Sequence, residues 1–305
     1  MARVTRCCGG MRMRFSEIYS SPDSPVISFE VFPPKTSRGM DSLRKVLPRL
    51  VALEPAFMTV TYGAMGTTRV RTVEIASMIH NEFGLECACH LTCVGASGDQ
   101  VDGQLQHIHG HGIENIVALR GDPPRGQESF QAVEGGFSYA NELVAHIRSN
   151  GRFDIAVGGY PEKHIEAPDF ETDLVNLHRK VDSGADVVIT QLFYDNEHFF
   201  RFREAAIEKG ISCPIVPGLL PIQSLAQVEK IAGLCGAEVP SALQDSLREA
   251  GDDPDAVAAA GIDWCIEQSA GLLTAGVPGI HYYVLNKASI MEGVITGLRG
   301  RNLLL

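Results

Sequence analysis

The sequence predicts a (β/α)8 barrel on three observations. Runs rich in β-branched and aromatic residues alternate with amphipathic stretches, and the alternation amounts to eight strand–helix units in 305 residues. The turn after the first strand, "FPPKTS", lacks the GxGxxG of a dinucleotide-binding open sheet, which leaves a doubly wound sheet as the second choice.

The first strand is read over 26–32 (VISFEVF) and is closed by Pro33-Pro34. Further strands are read at 56–62, 85–92, 114–120, 154–160, 186–193, 214–220 and 279–285. Helical spacing marks 40–53, where Leu43, Val46, Leu47 and Leu50 recur on one face, then 69–82, 99–111, 139–149, 170–183, 196–209, 223–235 and 288–298. A helical insertion at about 240–275 separates strands seven and eight. No linker or low-complexity tract interrupts this pattern, so 21–305 reads as a single catalytic barrel domain. The basic start, "MARVTRCCGGMRMRF", has no apolar core and is no secretory signal; a disordered leader is expected over 1–20.

Composition narrows the function classes. With 45% hydrophobic and 21% charged residues the chain is ordinary globular material. A net charge of −11 argues against a nucleic-acid partner, and no apolar run approaches the roughly 20 residues of a membrane span. Eight scattered cysteines in a chain large enough to need no staples suggest reduced, cytoplasmic thiols. No metal is expected: in "CACHLTC" (87–93) alternation turns Cys87 and Cys89 one way and His90 the other, so the ligands do not converge.

The candidate site follows from where polar residues fall. Catalytic groups of barrels come from the carboxyl ends of strands. Glu30 lies late in strand one, Thr59 and Thr61 late in strand two, and His90 and Thr92 end strand three. Arg120 and Asp122 close strand four, Tyr160 closes strand five and Gln191 is late in strand six. Each has an ordinary structural reading: Glu30 as a carboxylate bonded to Thr61, Asp122 as a turn residue, His90 as a core histidine. Six strands converging on one rim favour a site. The helix over 170–183 adds a polar face of Asp173, Asn176, Arg179 and Lys180 opposite Leu174, Leu177 and Val181. Such a face can simply be solvated; alternatively it anchors a phosphate- and ribose-bearing cofactor.

At these residues the chain resembles the methylenetetrahydrofolate reductases, flavin-dependent barrels of one-carbon metabolism and methionine biosynthesis. The motifs that carry it are "SFEVFPPKT" (28–36), "VTYGA" (60–64), "HLTC" (90–93), "IVALRGDPP" (116–124), "YPEKH" (160–164), "LHRKVDSGAD" (177–186), "TQLFYD" (190–195), "PGLLP" (217–221) and "HYYVLNKA" (281–288). They occur in order over nearly all of the chain after residue 25. The resemblance is to the bacterial type, a catalytic barrel without the S-adenosylmethionine-binding regulatory domain of larger members, so control through that domain is not expected.

The resemblance implies non-covalent FAD, NADH or NADPH as co-substrate, and hydride transfer by a ping-pong route to 5,10-methylenetetrahydrofolate. It makes Glu30 the general acid and Asp122 a carboxylate between flavin and pterin. It places Thr61, Tyr62, Ala64, His90, Arg120, Gly121, Asp122, Ala140, Tyr160, His164, Ala167, Asp173, Asn176, Arg179 and Lys180 at the flavin. Gln191 is implied at the pterin, and Gln227 and Lys287 near the folate tail. A homo-oligomer is expected. Where some members have a ligand-stacking phenylalanine, this chain has Ile231. A buried strand is a reason to give an acid: burial is expected to raise the Glu30 pKa toward neutrality so that it can donate a proton. Asp122 is expected to stay ionised. Competing readings are a flavin-independent folate lyase or transferase and a non-catalytic partner subunit.

Overall fold

The computed structural model describes residues 13–20, 24–62, 69–123 and 129–305. Eight parallel strands close in sequence order: β1 (Val26–Val31), β2 (Phe57–Val60), β3 (Glu86–Thr92), β4 (Asn115–Leu119), β5 (Asp154–Gly159), β6 (Val187–Leu192), β7 (Ile215–Leu219) and β8 (Gly279–Tyr283). β8 pairs back onto β1, with Ser28 beside His281 and Glu30 beside Tyr283. The fold is therefore the expected TIM barrel.

Helices between the strands shield its outside: α2 (Ser37–Val51), α3 (Arg69–Phe83), α4 (Gly98–Gly110), α5 (Ala140–Asn150), α6 (Phe170–Asp182), α7 (Asn196–Glu208) and α8 (Leu225–Cys235). The expected insertion before β8 is α9 (Ser241–Glu249) and α10 (Pro254–Thr274), and α11 (Ala288–Gly300) follows β8. Their starts carry local caps. Thr36, Ser97, Asp169, Asp195, Ser224 and Asp253 each accept a backbone N–H from the first turn that follows. Among the described residues no helix is long and apolar enough to cross a membrane.

Strand alternation sorts side chains into two cores. Ile27, Phe29, Val31, Met58, Val60, Cys87, Cys89, Ile116 and Val157 point outward and pack under the helices. Val26, Phe57, Ala88, Val117, Ala156, Val187 and Val216 point inward and fill the lower barrel. The split of "CACHLTC" is the one its alternation predicts. Burial pushes the Cys89 thiol up to about 12, as suits a packing residue.

One expectation is corrected. Part of the stretch read as a leader forms α1 (Phe15–Ile18), and Phe15, Ile18 and Tyr19 are buried beneath the barrel. The Phe15 ring meets Phe57 edge-on at 5.2 Å. The Phe15 N–H donates to Asn115 Oδ1 and the Ser16 N–H to Asp154 Oδ2, each at 2.8 Å. One turn is too short to show a hydrophobic period, so the surrounding basic residues concealed it.

Candidate active site

The inward residues change character toward the carboxyl ends of the strands. Above the apolar layers opens a cavity of about 1310 Å³, larger than the roughly 300–1,000 Å³ of ordinary small-molecule pockets. The described residues Thr61, Tyr62, His90, Arg120, Gly121, Asp122, Ala140, Tyr160, His164, Ala167, Asp173, Asn176, Arg179, Lys180 and Gln191 line it, together with Glu30. Ala64 lies outside the described residues. Gln227 and Lys287 do not line it: Gln227 Oε1 accepts the Gln223 N–H at 2.7 Å at the start of α8, and Lys287 is an exposed residue preceding α11.

Glu30 sits at the floor, its side chain 17% exposed. Thr59 Oγ1 donates to its Oε2 at 3.3 Å, so the threonine partner of the carboxylate is Thr59 rather than the expected Thr61. The same oxygen lies 3.1 Å from His90 Nε2 and 3.6 Å from His281 Nε2. Burial pushes the Glu30 carboxyl up, but the two imidazoles outweigh it and hold the group down at about 2. The expected rise toward neutrality is thus reversed. Alternation along β8 could have found His281 and Tyr283, which both line the cavity. Tyr283 reaches across to donate to the Thr190 carbonyl at 2.5 Å. Gly218 of β7 leaves room for it, since a Cβ there would stand 2.6 Å from the Tyr283 hydroxyl oxygen.

A basic wall faces this floor. Lys180 donates to the Gly158 carbonyl and lies over the Tyr160 ring, and burial lowers its pKa to about 8. Arg179 donates to Asn176 Oδ1 at 3.1 Å. Asp173 is buried and accepts the His164 N–H at 3.0 Å, fixing the β5–α6 loop. Arg120 holds Glu166, a residue sequence reasoning missed, through two bonds of 2.5 and 2.6 Å. Gly121 has φ +86, and a Cβ there would press on Val94, which explains the glycine in "RGD". Ile231 lies on an aliphatic stretch of the lining with Leu192, Leu220, Cys235 and Leu285.

Glu162, His198 and Glu238 are a second group of metal-ligating types on the protein's surface. Arg201 lies 3.2 Å from His198 Nδ1 and can only donate. His198 Nε2 therefore carries the proton that faces Glu162 at 3.6 Å and Glu238 at 3.5 Å and offers no lone pair to a metal between them.

Comparison with known proteins bears on this geometry. A family model described as methylenetetrahydrofolate reductase matches residues 14–299. The chain is 42% identical over 282 residues to "Methylenetetrahydrofolate reductase (NADH) 1" of Arabidopsis thaliana, covering 89% of this chain and 48% of that protein. It is 38% identical over 268 residues to 5,10-methylenetetrahydrofolate reductase of Escherichia coli (strain K12), covering 88% of each. The chain thus spans about half the length of the plant relatives and most of the bacterial ones. Among solved structures, a Clostridium thermocellum protein that binds two copies of 5-methyl-5,6,7,8-tetrahydrofolic acid has a TM-score of 0.60 at 16% identity, covering 91% of this chain and 95% of that one. That likeness concerns the fold.

Proposed function

Because the chain belongs to the methylenetetrahydrofolate reductase family, we propose that it reduces 5,10-methylenetetrahydrofolate to 5-methyltetrahydrofolate with electrons from a reduced nicotinamide nucleotide, passed through non-covalent FAD. The observation that carries this reading is the floor-and-wall arrangement of the cavity. A carboxylate bracketed by two imidazoles faces a basic wall, in a space large enough for a dinucleotide and a second ligand in turn.

The donor set fits FAD. Arg120, Arg179 and Lys180 suit a pyrophosphate, Asp173 and Asn176 suit hydroxyl groups, and Gly121, Ala140 and Ala167 keep the lining shallow. Thr61, Tyr62, His90, Tyr160 and His164 complete the contact surface, and Ala64 belongs to the same motif as Tyr62. Bound FAD would supply the hydride chemistry that amino-acid side chains lack.

The protein's own part is proton management and orientation. The five-membered ring of the substrate opens when its bond to the departing amine breaks and that nitrogen takes a proton. Glu30 donates it, and the general acid must hold a proton at that moment. Asp122, at the mouth, stabilises the cationic iminium left on the opened substrate. Gln191 offers an amide to the pterin, and its Oε1 is oriented by the Leu192 N–H at 2.9 Å. Gln227 and Lys287, outside the cavity lining, are proposed to meet only the folate tail. NADH or NADPH would approach along the Ile231 wall. The buried thiols suit a cytoplasmic protein, and a homo-oligomer remains the expected assembly.

Stopped-flow absorbance of Glu30→Gln tests the assignment. Flavin reduction by the nucleotide should stay within a fewfold of wild type. Oxidation by methylenetetrahydrofolate should fall by roughly 10²–10⁴. Equal slowing of both halves would make Glu30 a structural carboxylate, and purified protein without flavin absorbance that also fails to take up FAD would remove the cofactor reading.

A further inference from the structure

Resting on the reading of Gln191 as the amide that meets the pterin, we propose that Thr190 is its positioning residue: it locks a bulge in β6 that turns Gln191 into the cavity and fixes which end of the amide a ligand meets. The inference starts from a break in alternation. Ile189, Gln191 and Leu192 all line the cavity, although successive strand residues should face opposite ways. The pairing with β7 shows why. Ile189 stands beside Val216 and Leu192 beside Gly218, so Thr190 and Gln191 together oppose Pro217 alone. Such an extra residue re-aims the side chains around it, and a proline, which has no N–H to give to a ladder, is tolerated at such a place.

Three bonds hold the bulge. The Gly218 N–H donates to Thr190 Oγ1 at 2.9 Å, where a regular ladder would use a carbonyl. The Thr190 carbonyl instead accepts the hydroxyl of Tyr283 at 2.5 Å, and the Tyr283 side chain crosses β7 from β8 to reach it. The crossing needs a glycine: a Cβ on Gly218 would stand 2.1 Å from the Thr190 carbonyl oxygen and 2.6 Å from the Tyr283 hydroxyl oxygen. Third, the Leu192 N–H donates to Gln191 Oε1 at 2.9 Å. The amide oxygen is thus engaged by the strand's own backbone, and the NH2 group is left for an acceptor on a ligand. A flat heteroaromatic ring with a carbonyl or ring nitrogen at its edge, as in a pterin, offers one. Thr190 has no exposed surface and is not part of the cavity lining, so whatever it does for a ligand it does through Gln191.

The test is saturation of the folate half-reaction, followed by stopped flow in flavin-loaded protein. Thr190→Val keeps the shape of the side chain and removes the hydroxyl. The methylenetetrahydrofolate concentration that half-saturates oxidation of the reduced flavin should rise by roughly 5–10-fold, the worth of one hydrogen bond to the ligand, with the limiting rate within about threefold of wild type. Thr190→Ser restores the hydroxyl and should bring the half-saturating concentration back to within about twofold of wild type. FAD affinity should stay within about twofold in both variants, because none of the residues assigned to the flavin lies on β6, β7 or β8. Gln191→Ala should give the same rise of roughly 5–10-fold, and adding Thr190→Val to it no further one, whereas independent residues would multiply. Tyr283→Phe removes the other anchor of the bulge, should repeat the pattern, and serves if Thr190→Val does not fold. A rise that persists in the Gln191→Ala background, one that Thr190→Ser fails to reverse, or none at all would overturn the proposal. If Gln191→Ala leaves folate saturation unchanged, the reading of Gln191 as a pterin contact falls and this proposal with it. If Gln191→Ala raises the half-saturating concentration and the Thr190 and Tyr283 variants do not, that reading stands and the proposal alone fails.

Discussion

At the amino-terminal end of the barrel, Phe57, Ala88, Val117, Ala156, Val187 and Val216 meet Phe15 and Ile18 of α1 in a closed apolar layer. A few residues further along the same strands the inward positions become Thr59, His90, Gln191, His281 and Glu30 around an open cavity. The backbone is continuous between the two ends, so the difference lies in the side chains alone. The lower end supplies burial energy and holds the strands in place, which allows the upper end to carry an acid, two imidazoles and a desolvated lysine around an open space.

The largest effect should come from breaking the lower end. Phe15→Ala empties a fully enclosed site and should cost about 3–5 kcal/mol in denaturant unfolding, with nucleotide and folate half-reactions close to wild type in the protein that remains folded. A loss below about 1 kcal/mol would mean that α1 is not part of the core. Next is the acid dependence of the upper end. The folded Glu30 pKa, about 2, lies below its ordinary 4.5, so its contribution is present above about pH 4.5 and is lost as pH falls toward 2. Its size is on the order of 3 kcal/mol. Unfolding measured from pH 6 to 2.5 should therefore be steeper in wild type than in Glu30→Gln, and equal slopes would mean that the imidazoles do not hold the carboxylate.

A smaller effect separates binding from stability. Replacing Arg179 and Lys180 together by Ala should weaken FAD binding by roughly 10–100-fold, the value of one or two charge-assisted bonds, without lowering the melting temperature of the flavin-free protein, since Lys180 is held against its own desolvation. Full FAD occupancy at unchanged affinity would end the assignment of this wall. The smallest is Ile231→Phe. A ring on the aliphatic wall should lower the apparent KM for the nucleotide by a fewfold, roughly the 0.5–1.5 kcal/mol of an aromatic contact. Severe loss of flavin reduction in steady-state and single-turnover assays would show that the wall is packed differently.

Most of the frame was legible because it repeats. Eight alternations of period two and period 3.6 locate the strands and helices to within a few residues, and Pro33-Pro34 marks the end of the first strand. The site was half legible, for a reason visible at Glu30. Alternation says that Glu30 points inward, but not what it meets there; the two imidazoles come from β3 and β8 and reverse the effect of burial. His281 and Tyr283 were within reach of the same alternation, had it been applied to "HYY" as it was to the other strands. Glu166 was not, because a loop residue has no period and its partner Arg120 is 46 positions away. Nor could alternation say which of the two threonines bonds the carboxylate: the partner is Thr59, two positions below Thr61 on the same side of the strand.

The β1–β8 seam has a consequence for how the molecule comes into being. Ser28 and His281 are 253 positions apart, and all of β2–β7 lies between them. Contacts of such long range form late, because closing so large a loop is entropically unfavourable until the intervening contacts exist. During synthesis the amino-terminal units emerge first, at roughly 5–20 residues per second, so Glu30 leaves the ribosome long before β8 does. A nascent, seven-stranded barrel would present a carboxylate flanked by His90 only, with an unpaired edge on either side of the missing strand. Addition of β8 covers both edges and delivers His281 in the same event, so the completed surroundings of Glu30 and the disappearance of the last aggregation-prone edge would arise together.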